Sequence, residues 1–389
     1  MRIAHVIPYF TRRRGGSVAS TGSLSIELSR MGHDVTILTT DFECDSDLLR
    51  SAENANVTVL TFPYLVEIGQ LIFSPSMKAW LKGNGSKFDI FHMHNFRSYQ
   101  NNIVHAFARR HHIPYVLQAH GSLLPFFEKQ RLKLLYDFVW GRRILDEAAA
   151  VIALNRMEER QCISMGVKED KIKIIPNAVN TSEFEHLPER GALRNKFGIG
   201  PDWPVVLYLG RVHKIKGLDL LLAAFASLVE ELKNVRLILA GPDDGFLTEL
   251  ESQARALGIE DRIIATGPLY NRDKLEAFVD ADVYVLPSSY EMFPNTVLEA
   301  WGCGTPVIVT NRCGISDLVS RAGLVVEYNE HELKLAIARI LGDDSLRRRL
   351  AEEGKRMVRE ELRWDKIVER FELLYRDTLD EFREKPVLT

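Results

Sequence analysis

Apolar residues recur along the chain in two periods. Short, mainly apolar runs at residues 3–7, 35–38, 57–60, 90–93, 115–117, 151–154 and 172–175 alternate with longer segments, in the first of which Leu24, Leu28 and Met31 stand at helical spacing. The short runs predict buried strands and the longer segments amphipathic helices. Gly32 marks a helix stop before the second run. Strand, turn, helix, strand is the parallel crossover unit, so the first half predicts a doubly wound α/β domain. The pattern restarts at 205–210, passes through a Leu- and Ala-rich helix at 218–232, and returns as strands at 235–240, 263–265, 283–286, 307–309 and 324–326. A second α/β sheet follows. Between the two, Pro176, Pro188, Gly191, Gly198, Gly200, Pro201 and Pro204 interrupt any periodicity, which places a hinge there and a domain boundary at 182/183. From 330 to 385 the pattern is helical.

A length of 389 residues accommodates two or three such domains, and 46% apolar with 26% charged residues is ordinary for a soluble globular chain. No run of about 18 apolar residues occurs, and the first residues lack a signal-peptide core, so a cytoplasmic location is expected. Cys44, Cys162, Cys303 and Cys313 are scattered without a C-x-x-C spacing and read as reduced core thiols. The net charge of −3 argues against a nucleic-acid binder, but it is unevenly distributed. Residues 1–182 carry 22 Lys/Arg against 17 Asp/Glu and the remainder 28 against 36, which gives +5 and −8. The first half is therefore suited to an anionic partner, although a solvated surface accounts for the same excess.

In parallel sheets ligands sit beyond the carboxyl ends of the strands, so the informative residues are those that follow strands. Gly15-Gly16 follows the first strand and opens a helix, where free N–H groups suit a phosphate; such pairs also occur for steric reasons alone. No G-x-G-x-x-G and no P-loop sequence occurs, which disfavours a dehydrogenase or P-loop enzyme. Arg211 and Lys216 follow the strand ending at Gly210, and two cations there match the charge of a diphosphate or form a solvated cluster. After the strand 283–286, Pro294 fits the first turn of a helix. Glu291 then lies in the loop before it and Glu299 about one and a half turns inside. Two carboxylates so spaced suit hydroxyls on different parts of an extended ligand, with the free N–H groups of the helix between them.

Taken together, Gly210-Arg211-Val212-His213-Lys214-Ile215-Lys216-Gly217, the Glu-x7-Glu element from Glu291 to Glu299, and Gly302-Cys303-Gly304-Thr305-Pro306-Val307 resemble the retaining, nucleotide-sugar-dependent glycosyltransferases of family 4, also called glycosyl transferases group 1. His120-Gly121-Ser122, Ile175-Pro176-Asn177 and Trp364 extend the likeness over nearly the whole chain. It implies a GT-B fold, an α/β architecture of two facing Rossmann-like domains with a cleft between them. The acceptor domain would be 1–182, joined by about 365–389 crossing back, and the donor domain 183–364. It further implies that Arg211 and Lys216 bind the donor diphosphate, Glu291 the sugar hydroxyls and Glu299 the ribose. Gly15 and Gly16 would approach the phosphate, and His120 would line the sugar site. Asn177, Gly210, Phe293, Pro294, Asn295 and Thr296 complete the implied donor site. His120, Arg211, Lys216 and Glu291 are the implied catalytic set. No cofactor and no metal is implied beyond the nucleoside-diphosphate sugar itself. The chain departs from the family in Asn177-Ala178-Val179-Asn180, where Asn-Gly-Val-Asp is frequent, in Cys313-Gly314 for Gly-Gly, and in Met292 and Pro294 where glycines are frequent.

Three further readings accompany this one. Asp45-Ser46-Asp47 and Asp280-Ala281-Asp282 have the triplet form that binds divalent metal in the other main glycosyltransferase fold, but lie in an early loop and at a helix-to-strand junction. From Arg97 to Arg143 eight Lys/Arg are interleaved with Leu123-Leu124-Pro125-Phe126-Phe127 and with two helical stripes, one of Leu132, Leu135, Tyr136 and Val139 and one of Leu134 and Phe138. Core packing is the favoured reading of those stripes; shallow insertion at an anionic membrane, where lipid-linked acceptors reside, is the other. As to activity, transfer to a glycan or lipid-linked acceptor is expected, with a sugar-nucleotide epimerase or hydrolase and a noncatalytic sugar-nucleotide binder as alternatives.

Overall fold

A computed structural model describes residues 1–68, 71–124 and 130–384. The chain divides into two compact units, the first of residues 1–177 together with the chain from Trp364 onward, the second Ala178–Arg363.

The first unit is built on strands β1 (Arg2–Val6), β2 (Asp34–Thr40), β3 (Thr58–Phe62), β6 (Ile90–His94), β7 (Tyr115–Gln118), β8 (Ala150–Ala153) and β9 (Ile172–Ile174), in the order β3-β2-β1-β6-β7-β8-β9, all parallel. Order reverses at β1, so the loops after β1 and β6 diverge there and leave a crevice at the carboxyl edge. The strands are apolar on both faces because helices cover both; Ile3, Val6, Ile37, Met93, Leu117 and Val151 are fully buried. Two short strands, β4 (Val66–Ile68) and β5 (Leu71–Phe73), form a separate antiparallel pair that the sequence pattern does not predict. The helix Trp364–Glu384 belongs to this unit: Phe371 and Tyr375 are buried in it, and Glu372 lies 3.1 Å from His33 Nε2.

The second unit carries β10 (Val205–Leu209), β11 (Arg236–Ala240), β12 (Ile263–Gly267), β13 (Val283–Leu286), β14 (Val307–Thr310) and β15 (Leu324–Val326), ordered β12-β11-β10-β13-β14-β15 and again parallel. Its reversal point is β10, flanked by β11 and β13. Leu218, Leu221, Leu222, Phe225 and Leu228 bury one stripe of the helix Leu218–Val229, as their spacing predicts.

The boundary differs from 182/183. Val179 donates its backbone N–H to the Leu362 carbonyl and bridges to Arg363, which draws the stretch after Asn177 into the second unit. Both Asp-x-Asp triplets engage groups of the fold. Asp45 caps the helix Ser46–Asn54, accepting from the N–H groups of Asp47 and Leu48. Asp280 accepts from the N–H groups of Gly191 and Arg194, and Asp282 from Val205 and the guanidinium groups of Arg190 and Arg194.

Candidate functional site

In the second unit the expected residues converge at the carboxyl edge, where β10 meets β13. After β10 the chain turns through a short 3-10 segment, Lys214–Lys216, capped by His213 Nδ1, which accepts the Ile215 N–H. Gly217 ends it at φ +65°, and a Cβ there would overlap the Pro287 carbonyl oxygen. Only glycine permits this approach of the two loops. Ser289 fastens them, its N–H and hydroxyl both donating to the Ile215 carbonyl at 2.9 Å. The result sets Lys216 Nζ in direct contact with Glu291 Oε2, both side chains largely buried. Glu291 is itself held through its backbone, whose carbonyl accepts the Gly314 N–H at 2.8 Å.

Gly210 lies against the Tyr208 ring, and Arg211 is the more exposed cation of the pair: its guanidinium meets Asp244 at 2.5 Å at the surface. Tyr284, fully buried in β13, places its hydroxyl 2.7 Å from Thr296 Oγ1 and 3.2 Å from the Leu209 carbonyl. That contact fixes the start of the helix Asn295–Cys303 beside the end of β10. Pro294 is the residue before this helix rather than within its first turn, and no side chain caps it. Glu299, fifth in the helix, is thus about one turn inside. Its carboxylate pairs with Lys274 Nζ at 2.9 Å. Phe293 is buried.

The sequence reading missed two participants. Burial lowers the charge affinity of Lys274, but Glu299 and Glu183 outweigh it and hold the ammonium above its ordinary range. Burial also raises the Glu183 carboxyl, with Lys274 opposing and Glu299 reinforcing the rise. Neither residue stands in a recognisable motif, since both reach Glu299 only through the fold. Cys303 and Cys313 are free buried thiols, each pushed up to about 12 by burial and then by Glu299 and Glu291 respectively.

In the first unit Gly15 (φ +89°) precedes the helix Gly16–Arg30 with open space where a side chain would be, following β1 and the 3-10 segment Arg12–Arg14. His120 follows β7 at φ +52°, a conformation uncommon for a residue with a Cβ. The buried Glu158 holds this turn, accepting the N–H groups of Gly121 at 2.6 Å and Leu154 at 2.8 Å. Burial raises its carboxyl to about 7 against the pull of those two donors. Asn177 is buried at the end of the unit.

Behind His120 stand His5, His92 and His94, all fully buried and, among the described residues, the one cluster of potential metal ligands. Their signal in the sequence is a His-x-His in β6, which directs both rings to one face, with His5 in register opposite His92 on β1.

The stripes read as core packing are largely in solvent. Along the helix Gln130–Tyr136 and the π-helical turn Asp137–Gly141, Leu132, Leu134, Leu135, Phe138, Val139 and Trp140 are exposed, Phe138 at 78%. Of the stripe residues only Tyr136 is buried, its hydroxyl 2.5 Å from Asn102 Oδ1. The segment is anchored beneath by Arg97, whose guanidinium grips Asp137 at 2.7 and 2.8 Å and donates to the carbonyls of Ser122 and Leu123. Beside it, β4 and β5 present Val66, Ile68 and Phe73 to a groove of about 990 Å³, edged by Lys78, Lys82 and Arg110. Leu123 is buried in the core, Leu124 is partly exposed, and Pro125, Phe126 and Phe127 lie outside the described residues.

Comparison with known proteins gives a consistent result. Residues 14–183 match the family model described as Glycosyltransferase Family 4, and residues 189–357 the model described as Glycosyl transferases group 1. An uncharacterized glycosyltransferase of Methanocaldococcus jannaschii is 27% identical over 98% of this chain and 99% of its own. An alpha-monoglucosyldiacylglycerol synthase of Streptococcus pneumoniae is 26% identical over 88% of this chain and 78% of its own. The crystal structure of Anabaena HepE in complex with UDP superposes with a TM-score of 0.81 at 20% identity, over 97% of this chain and all of that one.

Proposed function

Given that the chain belongs to the group 1 glycosyltransferases of family 4 and has their GT-B fold, we propose that this glycosyltransferase moves a sugar, with retention of anomeric configuration and without a metal, from a nucleoside diphosphate to a lipid-linked or glycan acceptor. The observation that carries the donor side is the contact of Lys216 with Glu291 at the reversal point of the second sheet. A cation and a carboxylate from two strand ends meet where a ligand of such a sheet belongs.

Departure of the nucleoside diphosphate builds negative charge on its β-phosphate. Lys216, Arg211 and the positive end of the helix Asn295–Cys303 supply positive charge for it, the function a metal serves elsewhere. Glu291 accepts from sugar hydroxyls once the phosphate takes its place beside Lys216. Glu299 accepts from the ribose, its orientation held by Lys274. Gly15 and Gly16 offer the first unit's helix N–H groups to the phosphate, and His120 serves the sugar. Retention is consistent with attack from the face the diphosphate leaves, its oxygen taking the acceptor proton.

On the acceptor side the exposed apolar helix and the adjacent groove, edged by Lys78, Lys82 and Arg110, suit an anionic bilayer surface. The S. pneumoniae relative, named for a glycolipid product, agrees with that assignment.

The test is incubation of the protein with individual nucleoside-diphosphate sugars and a total lipid extract in EDTA, with product linkage determined by NMR. An α-linked product from an α-linked donor is expected. A β-linked product overturns retention, and activity only on adding Mn²⁺ overturns the metal-free mechanism.

A further inference from the structure

Three of the rings behind the β7 turn form a hydrogen-bonded line. His5 Nδ1 is 2.8 Å from His94 Nε2, and His94 Nδ1 is 3.0 Å from His120 Nε2. His92 stacks on His94 with centroids 4.0 Å apart and is held by Tyr375, whose hydroxyl is 2.6 Å from His92 Nδ1; Phe371 of the same helix packs on its ring. Burial keeps the line neutral: His5 and His120 are pushed down to about 3, and His92 and His94 well below their ordinary value.

A neutral imidazole has one N–H and one lone pair, so three rings joined by two hydrogen bonds admit only two proton arrangements. In the first, every proton is on Nε2: His120 donates to His94 and His94 to His5, which leaves an N–H at His5 Nε2 and a lone pair at His120 Nδ1. In the second, every proton is on Nδ1: His5 donates to His94 and His94 to His120, which leaves a lone pair at His5 Nε2 and an N–H at His120 Nδ1. His5 Nε2 and His120 Nδ1 are indeed both buried without a partner. The two arrangements therefore differ in which end of the line carries the unpaired donor. An orphaned buried N–H is the rarer defect in proteins, and so belongs where a partner can reach it. His5 is wholly buried within the sheet, whereas His120, although its Nδ1 is itself covered, belongs to a turn at the carboxyl edge and is partly exposed as a residue, so a ligand at that edge is nearer to it than to His5. The second arrangement meets that condition.

We propose that His5 and His94 are positioning residues that fix His120 in its Nδ1–H form, so that it presents a hydrogen-bond donor to an oxygen of the donor sugar or phosphate. This rests on the reading of His120 as a sugar-site residue. It explains why a strained turn is fastened to Glu158: the turn keeps His120 Nε2 against His94.

Long-range ¹H–¹⁵N correlation spectra of the full chain labelled at histidine read the tautomers directly, with His120 assigned by its loss in His120→Gln. The wild-type protein at pH 7.5 is expected to show Nδ1–H at His120. In His94→Leu, which deletes the donor to His120 Nε2, the tautomer ratio is expected to shift toward Nε2–H by about tenfold, on the order of one hydrogen bond. His94→Asn, whose amide can donate from nearly the same place, is expected to keep the wild-type form. An Nε2–H tautomer at His120 in the unsubstituted protein overturns the proposal, with no variant needed, as does an unchanged ratio in folded His94→Leu. The Nδ1–H form in a protein whose His120→Gln variant transfers sugar at the full rate supports the array and overturns instead the sugar-site reading.

Discussion

Lys216 and Glu291, 75 residues apart in sequence, form an ion pair across the loops that follow β10 and β13. The pair is screened from solvent and held from both sides, by Gly217 against Pro287 and by Ser289 against Ile215. A diphosphate arriving at Lys216 replaces Glu291 as its counter-charge and frees that carboxylate for sugar hydroxyls. Lys216→Ala is therefore expected to lower turnover by roughly 10²- to 10³-fold, the usual cost of deleting one charge-stabilising group at a transition state. Steady-state release of nucleoside diphosphate measures it, and an unchanged rate contradicts the role.

Lys274 is the sole cation pairing with Glu299 among the described ion pairs and also offsets Glu183. Lys274→Ala leaves two carboxylates facing each other in a largely buried place. A loss of about 2 kcal/mol in urea unfolding is expected, below the range for fully buried pairs because some solvent reaches this one. Nucleoside affinity should weaken with it, whatever sugar the donor carries.

The alternation of short apolar runs with helical segments was sufficient to read two parallel sheets, because strands buried on both faces leave a mainly apolar signature interrupted by single polar residues such as His5 and Thr36. The β4–β5 pair escaped notice because its strands are only three residues long, with β4 exposed throughout and a single buried residue, Ile72, in β5, too short a stretch for a period to show. Arg211, Lys216, Glu291 and Glu299 were legible as strand-end residues, but their pairing was not. Lys216 meets Glu291 and Arg211 meets Asp244 only through tertiary contacts, and Lys274 and Glu183 carry no local signal at all. The stripes at 132–139 were misread since periodicity reports that a helix has an apolar side and says nothing of what covers it.

The histidine array is expected to lower stability in acid. The four imidazoles titrate below their unfolded value of 6.5 in the folded chain, so as pH falls below 6.5 the unfolded state binds up to four protons that the folded state refuses, and stability drops. Glu158 works oppositely: raised to about 7, it is protonated in the folded chain between about 7 and 4.5, and its contribution is lost as pH rises through 7. Three net protons at about 1.4 kcal/mol each give a decline of roughly 4 kcal/mol per pH unit well below pH 6.5. Urea unfolding at pH 7.5, 6.5 and 5.5 measures this, and a flat profile contradicts a neutral buried array.

Leu134 and Phe138 are exposed apolar residues about one helical turn apart, Phe138 at 78% exposure. Flotation with vesicles containing phosphatidylglycerol is expected for the wild-type chain and lost in the double variant Leu134→Asp, Phe138→Asp. Two such side chains are worth roughly 3–6 kcal/mol on burial, ample for a change of 10²-fold or more. Binding should also weaken in 0.5 M NaCl if Lys78, Lys82 and Arg110 assist it. Recovery of the wild-type chain wholly in the soluble fraction contradicts the membrane assignment.

The central claim, a nucleoside diphosphate held by Lys216 without metal, is tested most directly by thermal unfolding of the wild-type and Lys216→Ala proteins in EDTA with UDP, GDP, ADP, dTDP or CMP. A ligand at 100 times its dissociation constant adds about 2.7 kcal/mol of stability. One diphosphate is expected to stabilise the wild-type chain selectively and Lys216→Ala far less. Equal stabilisation of both proteins, or none by any nucleotide, contradicts the account.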